Sequence, residues 1–294
     1  MTAPDSFPVP APAERHDLHL PDGSTTPVAV YRPEGDPVGV VTLWPGFGVG
    51  GRYYRPLAEE LAARGYLTLV GELRGQGGST AVADRGHRWG YADQSRVEYA
   101  RLDALARELA PGLPVRLLAH SMGGQIASVA MALGTIRPDA CLFVGSGTPW
   151  YVNFDANEKR RLLVGAPMMR VVSRVLGYWP SGKLDIAGYG RQPWKHLREW
   201  STLALTGRFE PEGRDLTAEF ASVDVPVLFT RCLGDDDCPM DSARDLARRL
   251  GNARVEEIPV ELGHNRWARE PGPVADRFER FIAELDAGEW AADA

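Results

Sequence analysis

Lysine is nearly missing from this chain. Lys159, Lys183 and Lys195 are the only three among 33 basic residues, a bias of composition rather than of function. Acidic residues outnumber basic ones, 39 to 33, and the net charge of −6 argues against a nucleic-acid binder, which needs a basic face. Cysteine is scarce too. Cys141, Cys232 and Cys238 are odd in number and lack metal-ligand spacing. Cys141 sits in an apolar run. Cys232 and Cys238 flank an acidic turn and could pair only if it folded tightly, so three reduced thiols are expected. No apolar run reaches the length of a membrane-spanning helix. The Pro-rich, polar stretch Met1–Arg15 has no apolar core of the secretory type. The expectation is a soluble, cytoplasmic protein with no membrane span. There is no internal repeat, and no low-complexity tract beyond the polar termini.

What is present is a regular alternation of strands and helices. In 294 residues, 44% hydrophobic, there is room for one large domain with an insertion or for two small domains. His16–Leu20 and Val28–Tyr31 read as a hairpin across Pro21-Asp22-Gly23-Ser24. Continuous apolar runs at Val38–Trp44, Tyr66–Val70, Val115–Leu118 and Cys141–Val144 read as strands buried on both faces. Helical patterns at Tyr54–Ala63 and Tyr91–Leu109 separate them. The rhythm resumes with strands at Val225–Thr230 and Val255–Val260, and helices at Ser242–Leu250 and about Val274–Leu285. This order predicts an α/β fold: a mostly parallel central sheet with helices on both faces. Between Thr148 and Ser222 the strand rhythm stops. Helical pieces at Glu158–Leu163, Met168–Leu176 and Trp194–Leu205 lie between Gly/Pro turns. The expected division is therefore 1–147 and 223–294 as the two parts of one core, with 148–222 as a helical lid. That insertion is dense in aromatics, of which Trp150, Tyr151 and Trp179 are candidates to line a substrate pocket; forming the insertion's own core is the competing role.

The chemistry gathers at strand ends. Ala119-His120-Ser121-Met122-Gly123-Gly124 follows the Val115 strand and precedes a small-residue helical stretch, Gln125–Leu133. A strand, a tight turn with a central Ser and a helix make a nucleophile elbow, whose sharp turn requires small residues two positions to either side of the Ser. Ala119 and Gly123 satisfy this, and the Met122 N–H would point at whatever binds Ser121. A serine in a Gly-rich phosphate-binding turn is the competing reading. An alcohol needs a base to become a nucleophile, and the base needs an orienting acid. Gly234-Asp235-Asp236-Asp237-Cys238-Pro239 and Glu261-Leu262-Gly263-His264-Asn265 supply both, each after a strand, where open parallel sheets collect their ligand chemistry. The other histidines are less suggestive: His120 would pack beneath the elbow, His16 and His19 lie on a peripheral strand, and His87 and His196, in loop or lid regions, could line the pocket, with a surface role the favoured expectation.

With the elbow, the Glu72-Leu73-Arg74-Gly75-Gln76-Gly77-Gly78-Ser79 loop, the Gly-x-x-Asp turn and the Gly-His loop, the chain resembles the α/β-hydrolase superfamily over nearly its full length. It looks closest to bacterial esterases and lysophospholipase-like serine hydrolases with a helical lid. The resemblance implies Ser121 as nucleophile, His264 as general base and then acid, and an Asp as its partner. The Gly-x-x-Asp spacing selects Asp237; Asp235 and Asp236 are rivals, because Pro239 follows closer than usual. The family's oxyanion hole combines the N–H after the nucleophile, here Met122, with one from the loop after the third strand, here Phe47. Pro45 replaces the usual His of that loop, and Glu72 stands where Asp is commoner. The implied activity is cleavage of a carboxylic ester or thioester, apolar or aromatic, with no cofactor and no metal. The alternatives are acyl transfer or cyclisation by the same triad, or a non-catalytic ligand-binding homologue.

Overall fold

The computed structural model describes residues 14–293, so most of the Met1–Arg15 stretch lies outside the described residues. The hairpin forms as read, from β1 (Glu14–His19) and β2 (Thr25–Tyr31). Then come β3 (Gly39–Trp44), α1 (Arg55–Ala63), β4 (Tyr66–Val70), α2 (Tyr91–Gln94) and α3 (Ala100–Leu109), the last two joined by a π turn over Ser95–Tyr99. The elbow lies between β5 (Val115–His120) and α4 (Met122–Ala132), followed by β6 (Ala140–Val144). The inserted region holds α5 (Ala156–Leu176), the two-residue strands β7 (Tyr178–Trp179) and β8 (Gln192–Pro193), α6 (Trp194–Thr206) and α7 (Thr217–Ala221). The chain finishes with β9 (Val227–Leu233), α8 (Met240–Ala247), β10 (Ala253–Glu261) and α9 (Gly272–Asp286).

Eight strands form one sheet in the order β1-β2-β4-β3-β5-β6-β9-β10. The β1–β2 and β2–β4 pairs are antiparallel and all the others parallel. Side chains along each parallel strand feed two cores alternately. Val40 and Trp44 of β3, and Cys141 and Phe143 of β6, face α3, α4 and α8; Val41, Leu43, Leu142 and Val144 face α1 and α9. That two-sided burial is why the strands read as unbroken apolar runs.

The insertion differs from expectation in two ways. The two helical pieces at Glu158–Leu163 and Met168–Leu176 are a single helix, α5, with Pro167 inside it. Proline removes one ladder hydrogen bond, yet Leu162, Ala166, Met169 and Ser173, spaced one turn apart, are all buried and keep both halves on one axis. Asp155 caps the helix, accepting from the Asn157 and Glu158 amides at 2.8 and 3.0 Å. The region also contains a strand pair, β7–β8, too short to leave a periodic signal.

Candidate active site

The C-terminal turns of the parallel strands hold Ser121, His264, the acidic run Asp235–Asp237 and the Phe47 loop. Chain order reverses between β3 and β5, neighbours in the sheet, and a crevice forms at such a switch point. Ser121 directly follows β5. Its φ of 51° and ψ of −120° make it, with Glu212, one of two non-glycine residues of positive φ among the described residues. The strain is held from both sides: the Ser121 N–H donates to the Val144 carbonyl at 3.0 Å, and the Gly124 N–H donates to the Ser121 carbonyl at 3.0 Å. A Cβ at Gly123 would lie 2.7 Å from the Pro45 carbonyl oxygen, which explains the small residue there.

His264, on the turn after β10, lies 3.0 Å through Nε2 from Ser121 Oγ and 2.8 Å through Nδ1 from Asp235 Oδ1. A carboxylate on Nδ1 fixes that nitrogen as the N–H, leaving Nε2 to accept the serine proton. Burial opposes a charge on the imidazole. The Asp235 hydrogen bond and charge outweigh it, aided by Asp237, and raise His264 above the ordinary histidine range.

The acid beside the imidazole is thus Asp235, a correction to the expected Asp237. Arg231, near the end of β9, donates to the Asp235 and Cys238 carbonyls at 3.0 Å each, and the Cys238 N–H donates to Asp235 Oδ1 at 2.8 Å. This curls the turn back immediately after the strand and buries Asp235, at 1% exposure. Pro239 caps α8 immediately afterwards, so the Asp236 and Asp237 side chains are left exposed. Asp237 instead pairs with Arg161 of α5 at 3.3 Å. Gly145, at φ 58°, completes the arrangement: a Cβ there would sit 2.9 Å from Asp235 Oδ2 and 3.0 Å from His264 Nδ1.

Among the described residues, neither the Met122 nor the Phe47 N–H has an intramolecular acceptor. The loop carrying Phe47 is held on both sides without the family's histidine. The Gly46 N–H donates to Tyr54 Oη at 2.9 Å, and Tyr54 Oη lies 2.6 Å from His120 Nδ1. The Gly48 N–H donates to Gln76 Oε1. The Tyr54 hydroxyl thus bridges the Gly46 N–H and His120 Nδ1. Burial, and then the charge of His264, whose ring centroid is 4.7 Å away, push the His120 pKa far down, so His120 stays neutral. Glu72 accepts from the Gly51 and Gly78 amides at 2.8 and 3.1 Å, tying this loop to the one after β4. Burial raises the Glu72 pKa to about 7 despite those two donors.

A cavity of about 300 Å³ opens over Ser121 and His264. Phe47, Phe154, Tyr189, Trp200 and Leu162 form its apolar walls; Gln125, Glu158, Arg161 and Asp237 are its polar ones. None of the three aromatics expected there lines it. Trp150 packs against Gly207, whose added Cβ would meet the indole at 2.7 Å. Tyr151 lies under the Lys159 ammonium, 5.3 Å from the ring centroid. Trp179 is buried within the insertion, its Nε1 donating to Asp185 Oδ1 at 2.8 Å. Aromatic content located the region, but facing direction depends on how α5, α6 and the β7–β8 pair cross. His196 is likewise buried, not at the surface: it stacks on Tyr91 with centroids 4.9 Å apart, and its Nε2 lies 3.0 Å from Met122 Sδ. Burial lowers its pKa to about 3.

This sheet, elbow and crevice define an α/β hydrolase. Residues 35–261 match the family described as serine aminopeptidase, S33, and the chain belongs to it. Solved structures are similar over almost the whole chain. An esterase (EaEST) from Exiguobacterium antarcticum shares 16% identity at a TM-score of 0.59, covering 91% of this chain and 98% of that one. The α/β hydrolase GrgF from Penicillium sp. shares 16% at 0.62, covering 94% and 99%. The esterase RhEst1 from Rhodococcus sp. shares 17% at 0.57, covering 92% and 99%. At these identities the likeness is one of fold. Among the described residues, no helix is long and apolar enough to cross a membrane.

Proposed function

We propose that this hydrolase cleaves a carboxylic ester or thioester through an acyl-enzyme on Ser121. The observation that carries the reading is the unbroken relay from Ser121 Oγ to His264 Nε2 at 3.0 Å and from Nδ1 to Asp235 at 2.8 Å. Ser121 Oγ attacks the carbonyl carbon as its proton passes to His264 Nε2. The carbonyl oxygen becomes an oxyanion and accepts from the Met122 and Phe47 amides. When the tetrahedral centre collapses, His264 gives the proton to the departing alkoxide or thiolate. A water then loses a proton to His264 and attacks the acyl carbon. The second collapse returns that proton to Ser121 Oγ and frees the carboxylic acid. Asp235 holds the imidazole's orientation and balances its transient charge. The inserted region, 148–222, acts in this scheme as the lid that walls the cavity.

A fluorophosphonate should label Ser121 stoichiometrically, and ester turnover should vanish in Ser121→Ala. Esters, thioesters and an amino-acid arylamide, tested side by side, separate ester cleavage from the peptidase activity that the family's description names. Full turnover by Ser121→Ala on every active substrate would overturn the mechanism.

A further inference from the structure

The catalytic cavity does not end the apolar space beside α5. A second cavity, of about 640 Å³, adjoins it, and Arg161, Leu162, Tyr189 and Trp200 line both. Beyond that shared wall it is a groove between Val164, Gly165, Met168 and Met169 of α5 and the segment bearing Ile186 and Ala187. Two of these side chains are left largely in water, Val164 at 65% and Ile186 at 75% exposure, and a contiguous apolar surface of this kind marks a binding site. We infer that the groove receives the acyl chain of the substrate, so that the ester or thioester cleaved at Ser121 carries a long aliphatic acyl group. This rests on the Ser121 reading and names its substrate class.

The polar character of the two cavities is graded in the required direction. Glu158 and Asp237 line the catalytic cavity, whereas the polar residues of the groove, Asn157, Arg160 and Arg161, include no acid and the rest of its lining is apolar or aromatic. Two methionines there offer a wall that adapts to a flexible chain. A Cβ built on Gly165 meets nothing within 4 Å, so a larger side chain there has room to enter the groove. A second copy of the protein is a poorer occupant. α5 carries Lys159, Arg160, Arg161, Arg170 and Arg174 against the single acid Glu158, and two such helices face to face would repel.

The test is a series of p-nitrophenyl esters from acetyl through butyryl, octanoyl and dodecanoyl to palmitoyl, with Ser121→Ala as blank. Once the chain passes Leu162 and Tyr189, kcat/KM should rise about fourfold per methylene, the equivalent of about 0.8 kcal/mol. Gly165→Phe and Ala187→Phe each fill the groove and should abolish that rise while acetyl-ester turnover stays unchanged. Unchanged dodecanoyl preference in both variants, with acetyl turnover intact, overturns the inference. If the wild type cleaves no ester of any length, the Ser121 reading fails, and the groove is judged by binding instead. Dodecanoate, and not butyrate, should quench the tryptophan fluorescence of the wild type, and Gly165→Phe should lose the response; equal quenching in the variant overturns the groove as a chain site.

Discussion

Asp235 and Asp237 are two residues apart, and their environments separate them completely. Asp235 is buried against an imidazole; the Asp237 side chain is half exposed and faces an arginine. Asp235→Asn keeps the shape but offers an amide that stabilises the wrong tautomer, and kcat should fall by about ten-thousand-fold. Asp237→Asn should keep kcat within a few-fold. The pH profile separates the two further. His264 must be neutral to act as base, so activity is lost as pH falls through its pKa, which Asp235 holds above the ordinary value. The acid limb of kcat/KM should therefore lie above the usual histidine range in the wild type. In whatever activity Asp235→Asn retains it should move to lower pH. An unshifted limb would mean that another group titrates there. The serine and the histidine that the elbow and the Gly-His turn single out in the sequence lie within hydrogen-bond distance of each other. The acid was misjudged, because the Gly-x-x-Asp spacing points to Asp237 while the fold uses Asp235, two residues earlier in the same acidic run. The choice among them is made by Arg231, which reaches the turn from the preceding strand and accounts for its curl.

The strand and helix order was legible because period and burial are coupled: each parallel strand is apolar on both faces, α1, α3, α8 and α9 bury one face, and α4, buried all round, reads as a run of small and apolar residues. Loop support was less legible, since it comes from side chains distant in sequence. Tyr54 lies at the start of α1, yet it links the Phe47 loop to His120. Tyr54→Phe removes the acceptor of the Gly46 N–H and the hydrogen-bond partner of His120 Nδ1. It should cost about 1–3 kcal/mol of stability and lower kcat more than it raises KM, since the oxyanion donor is displaced while the substrate walls remain. Wild-type kcat in a folded variant would show that Phe47 is held by Gln76 alone. The loop after β4 depends on a stronger contact. Arg74 forks onto Glu98 at 2.8 and 2.9 Å, and the Glu98 side chain is fully buried in the π turn between α2 and α3. Arg74→Ala strands that carboxylate and should destabilise the fold by about 3–5 kcal/mol, read by thermal or chemical denaturation. The Arg-Gly motif was recognisable from sequence; its partner was not, because Glu98 looks like any exposed residue of a helical stretch.

At the scale of the whole molecule, the three cysteines report on how the two cores and the catalytic turn open. All three are free and buried: Cys141 on β6 faces the α3–α4 core, Cys232 on β9 faces the α1–α9 core, and Cys238 lies in the turn that carries Asp235. The separation of Cys232 and Cys238 by a turn gathered around Arg231 agrees with the expectation of reduced thiols. Burial raises all three pKa values, Cys232 to about 11 and the other two further, so the reactive thiolate is scarce even where a reagent could reach. Ellman's reagent at neutral pH should therefore find no fast-reacting thiol in the native protein and three in guanidinium chloride. Under native conditions the slow reaction has two informative forms. If the sheet and both helical layers open as one cooperative unit, all three thiols should be modified at one common rate, the rate of global opening. If the β9–α8 turn opens separately, Cys238 should react first, and Ser121-dependent turnover should fall in step with its modification while Cys141 stays protected. A fast Cys141 would be incompatible with the packing, since its side chain lies in a central strand between buried layers, and would require the α4 layer to detach before the catalytic turn.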